Sequence, residues 1–199
     1  MNAFLTGVIF LVAFTATGNS LDCVHCYSND GTDCSGEAIT CTDDMTHCRT
    51  ITSEIMQDGD ASHQVFKFCG AAEEHNWIHR EELSTTVFQL ENQICNTDNC
   101  NQGPGQLTPR DNTPNGVKCK QCYVEHSLDC DTEETTECTG DMNKCLFMSG
   151  LVCNDGTDYY VCAQRVCTNL ASPEQHPFYF EVTAGNIQKI EITEGISDA

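Results

Sequence analysis

Two pairs of closely spaced cysteines are the residues best placed to do chemistry in this sequence. Cys23 and Cys26 enclose two residues, and Cys119 and Cys122 repeat that spacing. Thiolates spaced in this way can hold zinc or exchange disulfides with a substrate. The enclosed dipeptides, Val-His and Lys-Gln, are unlike those of a thioredoxin-type redox motif. In a secreted chain such cysteines form structural disulfides, and the rest of the sequence favours that interpretation.

Histidine and carboxylate clusters are the other candidates. His75 and His79 have the outer spacing of a helical zinc site, but the central glutamate is missing and a β-strand is expected there. Histidines four apart on a strand are too distant to share one ion, so two solvent-facing side chains are favoured. Adjacent acidic pairs, unlike the carboxylates of a glycosidase, point to opposite faces of a strand: Glu73-Glu74, Glu81-Glu82 and Glu133-Glu134. We therefore predict a protein that is not an enzyme, with no catalytic residue, metal ion or cofactor.

The cysteines also reveal how the chain is organised. Sixteen of the 199 residues are cysteine, an even number at a density near that of disulfide scaffolds. One set of five recurs in nearly the same register: Cys23, Cys26, Cys34, Cys41 and Cys48 match Cys119, Cys122, Cys130, Cys138 and Cys145. This repetition indicates an internal duplication.

The N-terminus, residues 1–20, has the composition of a secretory signal peptide. The apolar run at 4–14 is long enough for a signal core and too short to span a membrane, and small residues follow it. The sequence has no other long apolar segment, no hydrophobic C-terminal tail for a lipid anchor and no Asn-x-Ser/Thr glycosylation site. We predict a secreted, extracellular protein without a membrane anchor.

A polar segment separates the two copies. Residues 102–116 are rich in proline, glycine, asparagine and glutamine, as linkers are. The predicted organisation is a first domain over 21–101, a linker over 102–116 and a second domain over 117–199. Domains of roughly 80 residues bury little apolar core, so disulfides are expected to stabilise them.

Alternating apolar and polar residues predict an all-β protein. Residues 49–68 surround the turn signal Asp58-Gly59, and residues 146–161 surround Asn154-Asp155-Gly156, which is typical of β-hairpins. Residues 178–183 and 189–192 alternate in the same way, which predicts a third hairpin in the second copy.

Three features together resemble the Ly6/urokinase-receptor family. They are the Cys-x-x-Cys-Tyr start of each copy, the cysteine spacing, and the motif Cys-Asn-x-Asp-x-Cys-Asn that ends at Asn101. The resemblance covers most of residues 21–192. It implies a disulfide-rich, all-β fold of two tandem three-finger (Ly6/uPAR-type) domains, in which three β-hairpins radiate from a disulfide-knotted palm.

The resemblance also implies how the cysteines pair. For domain 1 it implies Cys23–Cys48, Cys26–Cys34, Cys41–Cys69 and Cys95–Cys100, with the side chain of Asn101 bonded back into the palm. For domain 2 it implies Cys119–Cys145, Cys122–Cys130 and Cys138–Cys162. Cys153 and Cys167 then remain and are expected to pair. The second copy lacks the closing Cys-Asn motif.

This asymmetry and the segment NIQKIEIT near the C-terminus resemble two related groups. One is the gamma-type phospholipase A2 inhibitors, which are two-domain plasma proteins. The other is the sodefrin precursor-like factors, secreted courtship pheromones of salamanders, whose signal peptides look like this N-terminus. The resemblance implies a pheromone acting on a chemosensory receptor, which the acidity and missing glycosylation site favour. The alternative is an inhibitor of secreted phospholipase A2.

The charge and one tryptophan bear on the partner. A formal net charge of -21 repels nucleic acid and anionic lipid, so we predict a protein partner and no nucleic acid. Trp77, the single tryptophan, is expected on the third finger with Ile78 and Arg80 beside it. Tryptophan and arginine are common in binding hot spots, so these are candidate contact residues. The alternative is that Trp77 packs on the neighbouring hairpin.

Overall fold

The computed structural model of the protein describes residues 20–42, 44–154, 158–176 and 188–197. The predicted signal peptide lies almost wholly outside these ranges, as does the strand predicted at 178–183. Both stay predictions.

Within the described ranges the chain is built from β-strands, with one short 3-10 helix at Pro173–Gln175. The strands of the first copy are β1 (Asp22–Ser28), β2 (Glu37–Thr40), β3 (His47–Gln57), β4 (Asp60–Gly70), β5 (Trp77–Leu83) and β6 (Thr86–Cys95). Those of the second copy are β7 (Pro114–Lys120), β8 (Cys122–Glu125), β9 (Thr135–Thr139), β10 (Lys144–Asn154), β11 (Tyr159–Thr168), β12 (Lys189–Glu194) and β13 (Ile196–Ser197). The predicted all-β fold class with two tandem domains is confirmed.

Antiparallel pairing joins most strands of both domains into one sheet. Its order is β12-β10-β11-β5-β6-β3-β4-β1-β2, with β8 added beside β11, and β13-β7-β9 form a small second sheet. The hairpins β1–β2, β3–β4 and β5–β6 are the three fingers of domain 1. In domain 2, β12 pairs with β10 as β6 pairs with β3. The second strand of the predicted third hairpin is therefore confirmed.

The hairpin β3–β4 turns where the sequence predicted. Asp58 and Gly59 have φ angles of 53 and 94 degrees, and positive φ at both central residues is the mark of a type I′ turn. The corresponding hairpin of domain 2, β10–β11, is also confirmed, although its turn residues 155–157 lie outside the described ranges.

Disulfides occupy the palm of each domain. In domain 1 the buried cluster consists of Cys23, Cys41 and Cys48, with further half-buried cysteines around it. Six bridges join the cysteines that the family resemblance implies: Cys23–Cys48, Cys26–Cys34, Cys41–Cys69, Cys95–Cys100, Cys119–Cys145 and Cys122–Cys130. The palm is therefore held covalently, as expected for a domain of this size.

The last two expected pairs, Cys138–Cys162 and Cys153–Cys167, are wrong. The structure joins Cys138 to Cys167 and Cys153 to Cys162. The first of these bridges lies in the palm, within the buried cluster of domain 2. The second links the neighbouring strands β10 and β11 within the second finger.

The strand register explains this correction. Cys167 lies opposite Cys145 at the palm end of β11, as Cys69 lies opposite Cys48 at the palm end of β4. Cys167 is therefore the structural equivalent of Cys69. Cys162 lies further out along β11, nearer the fingertip, where it has no equivalent in domain 1.

Asn101 closes the first domain through its side-chain amide. Its Oδ1 atom accepts a hydrogen bond from the Val24 backbone N–H at 2.9 Å. Its Nδ2 atom donates to the carbonyl oxygens of Val24 at 2.9 Å and Arg49 at 3.4 Å. The amide thus ties the C-terminus of domain 1 to β1 and β3, and it is buried.

The segment expected to be a linker packs against domain 1. We call residues 102–113 the strap, because β7 already begins at Pro114 inside the expected linker. The Gly105 N–H donates to the carbonyl of Thr32 at 2.8 Å. A Cβ atom at Gly105 would lie 1.9 Å from Oγ1 of Thr52, so only glycine permits this close approach. The strap is a fixed part of the domain.

The strap helps to satisfy a buried cation. The Lys67 side chain is fully buried, and its Nζ atom donates to the Asp33 carboxylate and to the Gly103 carbonyl of the strap. The hydrogen bond from Lys67 holds the pKa of Asp33 below its usual value. A buried ammonium requires such partners, because desolvation otherwise disfavours its charge.

The disulfide correction can be tested by tryptic mapping without reduction. Trypsin cleaves after Lys144 and Arg165, which places Cys167 alone in fragment 166–189. We expect mass spectrometry to find this fragment linked to fragment 121–144 through Cys138. We also expect the Cys153–Cys162 bridge to lie within fragment 145–165. Reduced and alkylated protein is the control, and a direct link between 145–165 and 166–189 would contradict the assignment.

The closing role of Asn101 can be tested by Asn101→Ala. The change leaves the buried N–H and carbonyl of Val24 without partners, so the free energy of unfolding should fall by about 3 kcal/mol. Guanidinium unfolding of the disulfide-intact protein measures it. Asn112→Ala, at an exposed position of the strap, is the matched control and should change stability by less than about 0.5 kcal/mol. Equal stabilities of the two variants would refute the closing role.

Candidate functional site

A row of large side chains crosses one face of the domain 1 sheet. Tyr27 lies opposite Phe66, Phe66 opposite Ile51, Ile51 opposite Asn92, and Asn92 opposite Trp77. Directly opposed residues share a face, so this row extends across five strands. We call this side of the sheet the outer face. The opposite side, which the strap covers, is the inner face.

Aromatic contacts make the outer face a coherent surface. The ring centroids of Tyr27 and Phe66 are 6.0 Å apart, and those of Phe66 and Phe68 are 4.9 Å apart. The Arg49 guanidinium lies 5.1 Å from the centre of the Phe68 ring. Tyr27 and Phe66 are 57% and 41% exposed. Exposed aromatic side chains beside an arginine are the composition of a protein-binding surface.

Sequence reasoning used Phe66 and Phe68 only as signs of β-structure. Their alternation places both on one face of β4, and that pattern could have identified them as surface aromatics. Their alignment with Tyr27 required the register of β1 against β4, which no local pattern encodes.

The expected contact residues Trp77 and Ile78 lie apart from the fingertip. Trp77 begins β5 at the palm end of the third finger and is half-buried on the outer face. Ile78 points to the inner face, and its carbonyl accepts a hydrogen bond from Asn169 of domain 2 at 3.0 Å. A cleft of about 540 Å³ lies between Trp77 and the segment around His176. Trp77 stays a candidate contact residue at the wall of this cleft.

Arg80 is wrong as a contact residue, because its side chain is buried between the domains. Its guanidinium donates to the Asp141 carboxylate at 2.6 Å, to the Thr108 carbonyl at 3.3 Å and to the Gln89 side chain at 3.1 Å. Asp141 belongs to domain 2 and Thr108 to the strap. Arg80 therefore joins the two domains and the strap, and only 7% of it is exposed.

The two domains meet by continuing one sheet. Glu81 and Glu82 of β5 lie opposite Thr168 and Cys167 of β11. The Thr168 hydroxyl donates to the Arg80 carbonyl at 3.0 Å. Leu83 also packs against the apolar core of domain 2, which contains Leu146, Met148, Val166 and Ile190. The junction combines backbone pairing, side-chain hydrogen bonds and apolar contact.

A buried His-Glu-His cluster lies at this junction. Nε2 of His79 is 2.8 Å from Oε1 of Glu81, and Nε2 of His176 is 3.2 Å from the same oxygen. His79 and Glu81 are two residues apart on β5, so both side chains point to the outer face. His176 comes from domain 2. The second oxygen of Glu81 accepts from Gln164 at 3.1 Å. We call His79, Glu81 and His176 the junction cluster.

Two opposing effects set the charge of Glu81. Burial raises the pKa of its carboxyl, but hydrogen bonds from His176 and His79 and the proximity of both rings lower it to about 2. The carboxylate is therefore ionised at neutral pH. Since His79 is also buried, the expectation of two solvent-facing histidines at 75 and 79 is wrong for His79.

The junction cluster is the set of described residues that can hold a metal ion. Its three ligand atoms lie within 4.8 Å of one another. Two groups of cysteines are equally close, but their sulfurs are committed to disulfides. Sequence reasoning missed the cluster because it considered a four-residue spacing. His79 and Glu81 are two residues apart, which places them on one face of a strand, and this spacing could have pointed to the cluster.

The acidic charge is only partly neutralised within the molecule. At least seven of the nine basic side chains lie within 4.0 Å of a carboxylate: Arg49, Lys67, Arg80, Arg110, Lys120, Lys144 and Lys189. The chain has 30 acidic residues, so most of its negative charge is left to the surface, which favours cationic partners.

No helix in the described ranges is long and apolar enough to cross a membrane.

Comparison with known proteins gives relatives for both copies. The sequence pattern of the u-PAR/Ly-6 domain family matches residues 19–103 and 115–186. A phospholipase A2 inhibitor of the gamma type from Elaphe climacophora is 28% identical over 146 residues, which are 72% of this chain and 72% of the relative. The urokinase plasminogen activator surface receptor of Aotus trivirgatus is 31% identical over 143 residues, which are 66% of this chain and 40% of the receptor. The crystal structure of mouse TEX101 gives a TM-score of 0.35 at 15% identity, covering 89% of this chain and 99% of that one.

The joining role of Arg80 can be tested by Arg80→Met. The methionine keeps the apolar stem but loses the hydrogen bonds to Asp141, Gln89 and Thr108, so the free energy of unfolding should fall by about 2 kcal/mol. Guanidinium unfolding followed by Trp77 fluorescence reports on this region. Lys120→Met breaks the exposed pair with Glu133 and is the matched control, with an expected change below about 0.5 kcal/mol. A loss no larger than that of the control would show that Arg80 does not hold the junction.

Proposed function

The chain belongs to the u-PAR/Ly-6 domain family, and from this premise we propose that it is a secreted, non-enzymatic protein that binds a protein partner through its outer face. The observation that carries the proposal is the exposed aromatic row with Tyr27 and Phe66 at its free end. Aromatic side chains supply much contact area at a low entropic cost, since they have only two side-chain torsions.

A secreted phospholipase A2 is the partner that we place first. The inhibitor of Elaphe climacophora matches this chain over most of both sequences, and its name states what it inhibits. The surplus of acidic side chains suits an enzyme with a basic surface, because opposite charge raises the association rate. The aromatic row would supply the short-range contact and the charge the long-range attraction.

A chemosensory receptor is the second candidate partner, and the chain would then be a courtship pheromone. The acidity, the missing glycosylation site and the likeness of the N-terminus to pheromone signal peptides favour it. The same outer face would contact the receptor. The two candidates differ in partner and share the surface, so one set of variants serves both.

The experiment measures binding and inhibition with the mature, disulfide-intact protein. We expect it to bind and inhibit a basic secreted phospholipase A2 at micromolar concentration or below, more weakly at high salt. Phe66→Ser should weaken binding tenfold or more, which is about 1.4 kcal/mol. Tyr159→Ser is the matched control: it removes another exposed aromatic, in domain 2, and should leave affinity unchanged.

The outcomes separate the surface from the partner. If Phe66→Ser inhibits the enzyme as well as the unaltered protein does, the outer face is not the binding surface, although the protein is still an inhibitor. If the protein inhibits none of several basic and acidic phospholipases at micromolar concentration, the proposed inhibitor function is refuted. The second candidate then requires that intact protein elicits a response from chemosensory tissue and that reduced protein or Phe66→Ser does not.

A further inference from the structure

We propose that His79, Glu81 and His176 form a binding site for one zinc ion at the junction of the two domains. The site is independent of the protein partner. Two ligands come from β5 of domain 1 and the third from the segment that follows β11 of domain 2. A bound ion would therefore connect the domains, whereas each disulfide joins cysteines within one domain.

The geometry of the junction cluster is close to that of a zinc site. Zinc ligands bind at about 2.0–2.2 Å in a tetrahedron, so neighbouring ligand atoms lie about 3.3 Å apart. Here Oε1 of Glu81 lies 2.8 and 3.2 Å from the two Nε2 atoms, and all three ligand atoms fall within 4.8 Å. Binding requires the side chains to shift until all three ligand atoms surround one ion.

The donor set also matches zinc. Two imidazole nitrogens and one carboxylate oxygen are the ligands of one common class of zinc site, which keeps a fourth position for water. His176 also lines the cleft beside Trp77, so the cluster lies next to a space that admits water. Calcium and magnesium prefer oxygen ligands, so the imidazoles select against them.

The electrostatics of the cluster favour a cation. Glu81 is buried, and within the described ranges the basic groups within 4.0 Å of its carboxylate are these two imidazoles. A carboxylate buried at the junction is costly unless a positive charge neutralises it. A divalent ion would compensate that charge through direct coordination.

The outer shell of the site limits its affinity. In strong zinc sites the second ring nitrogen of each histidine donates to a further group, and loss of such a partner weakens binding by about 10–100-fold. Nδ1 of His79 is buried and has no hydrogen-bond partner within the described residues. We therefore expect an affinity lower than that of a fully supported structural site.

The experiment is a titration of the metal-free, disulfide-intact full chain with Zn²⁺ by calorimetry. We expect one ion per chain, and a rise in the thermal unfolding midpoint that EDTA reverses. His176→Gln and Glu81→Gln should each lower the affinity at least tenfold and abolish the rise. His75→Gln is the matched control, because His75 is exposed at the same cleft and outside the cluster. It should behave as the unaltered protein does.

A second readout separates this site from loose binding to the acidic surface. Co²⁺ bound by four ligands absorbs visible light much more strongly than Co²⁺ held by surface carboxylates and water. We expect the strong spectrum at one equivalent of Co²⁺, and its loss in His176→Gln. Weak, multi-ion binding in the unaltered protein, or equal affinity in all variants, would overturn the proposal. If a variant fails to fold, the titration of the unaltered protein still tests whether one ion binds per chain.

Discussion

The disulfide knot of the palm is the constraint on which the rest of domain 1 depends. The buried cluster there consists of cysteines, while the inner face of the sheet buries polar side chains such as Lys67, Thr52 and Gln89. A core of this composition supplies little hydrophobic free energy. The bridges compensate by restricting the unfolded chain. The disulfides thus permit a sheet whose inner face is polar. The buried polar side chains of that face then need hydrogen-bond partners from other parts of the chain.

The strap and the second domain supply those partners. The strap offers the Gly103 carbonyl to Lys67 and the Thr108 carbonyl to Gln89 and Arg80. Domain 2 offers Asp141 and Thr168 to Arg80. The inner face is therefore committed to intramolecular contacts, which leaves the outer face for partners. The same division explains why Arg80 is buried while Tyr27 and Phe66 are exposed.

Local sequence pattern predicted the all-β class, the duplication and the hairpin turn at Asp58-Gly59, while six of the disulfides were implied by the family resemblance. The features that depend on the register between distant strands were not predicted correctly. Cys41–Cys69 and Cys138–Cys167 span 28 and 29 residues, so matching these intervals would have selected Cys167 over Cys162. The junction cluster and the burial of Arg80 depend on β5 pairing with β11, a long-range contact between copies. His176 follows a short helix and carries no periodic signal at all.

The path of the strap has a consequence for inheritance. In many duplicated proteins each copy is a module that recombination can move alone. Here the residues between the copies fill the inner face of the first, and Gly105 fits there only because it lacks a side chain. A first copy moved without this segment would expose Lys67 and Gln89 without their partners. The two copies and the segment between them therefore form one structural unit.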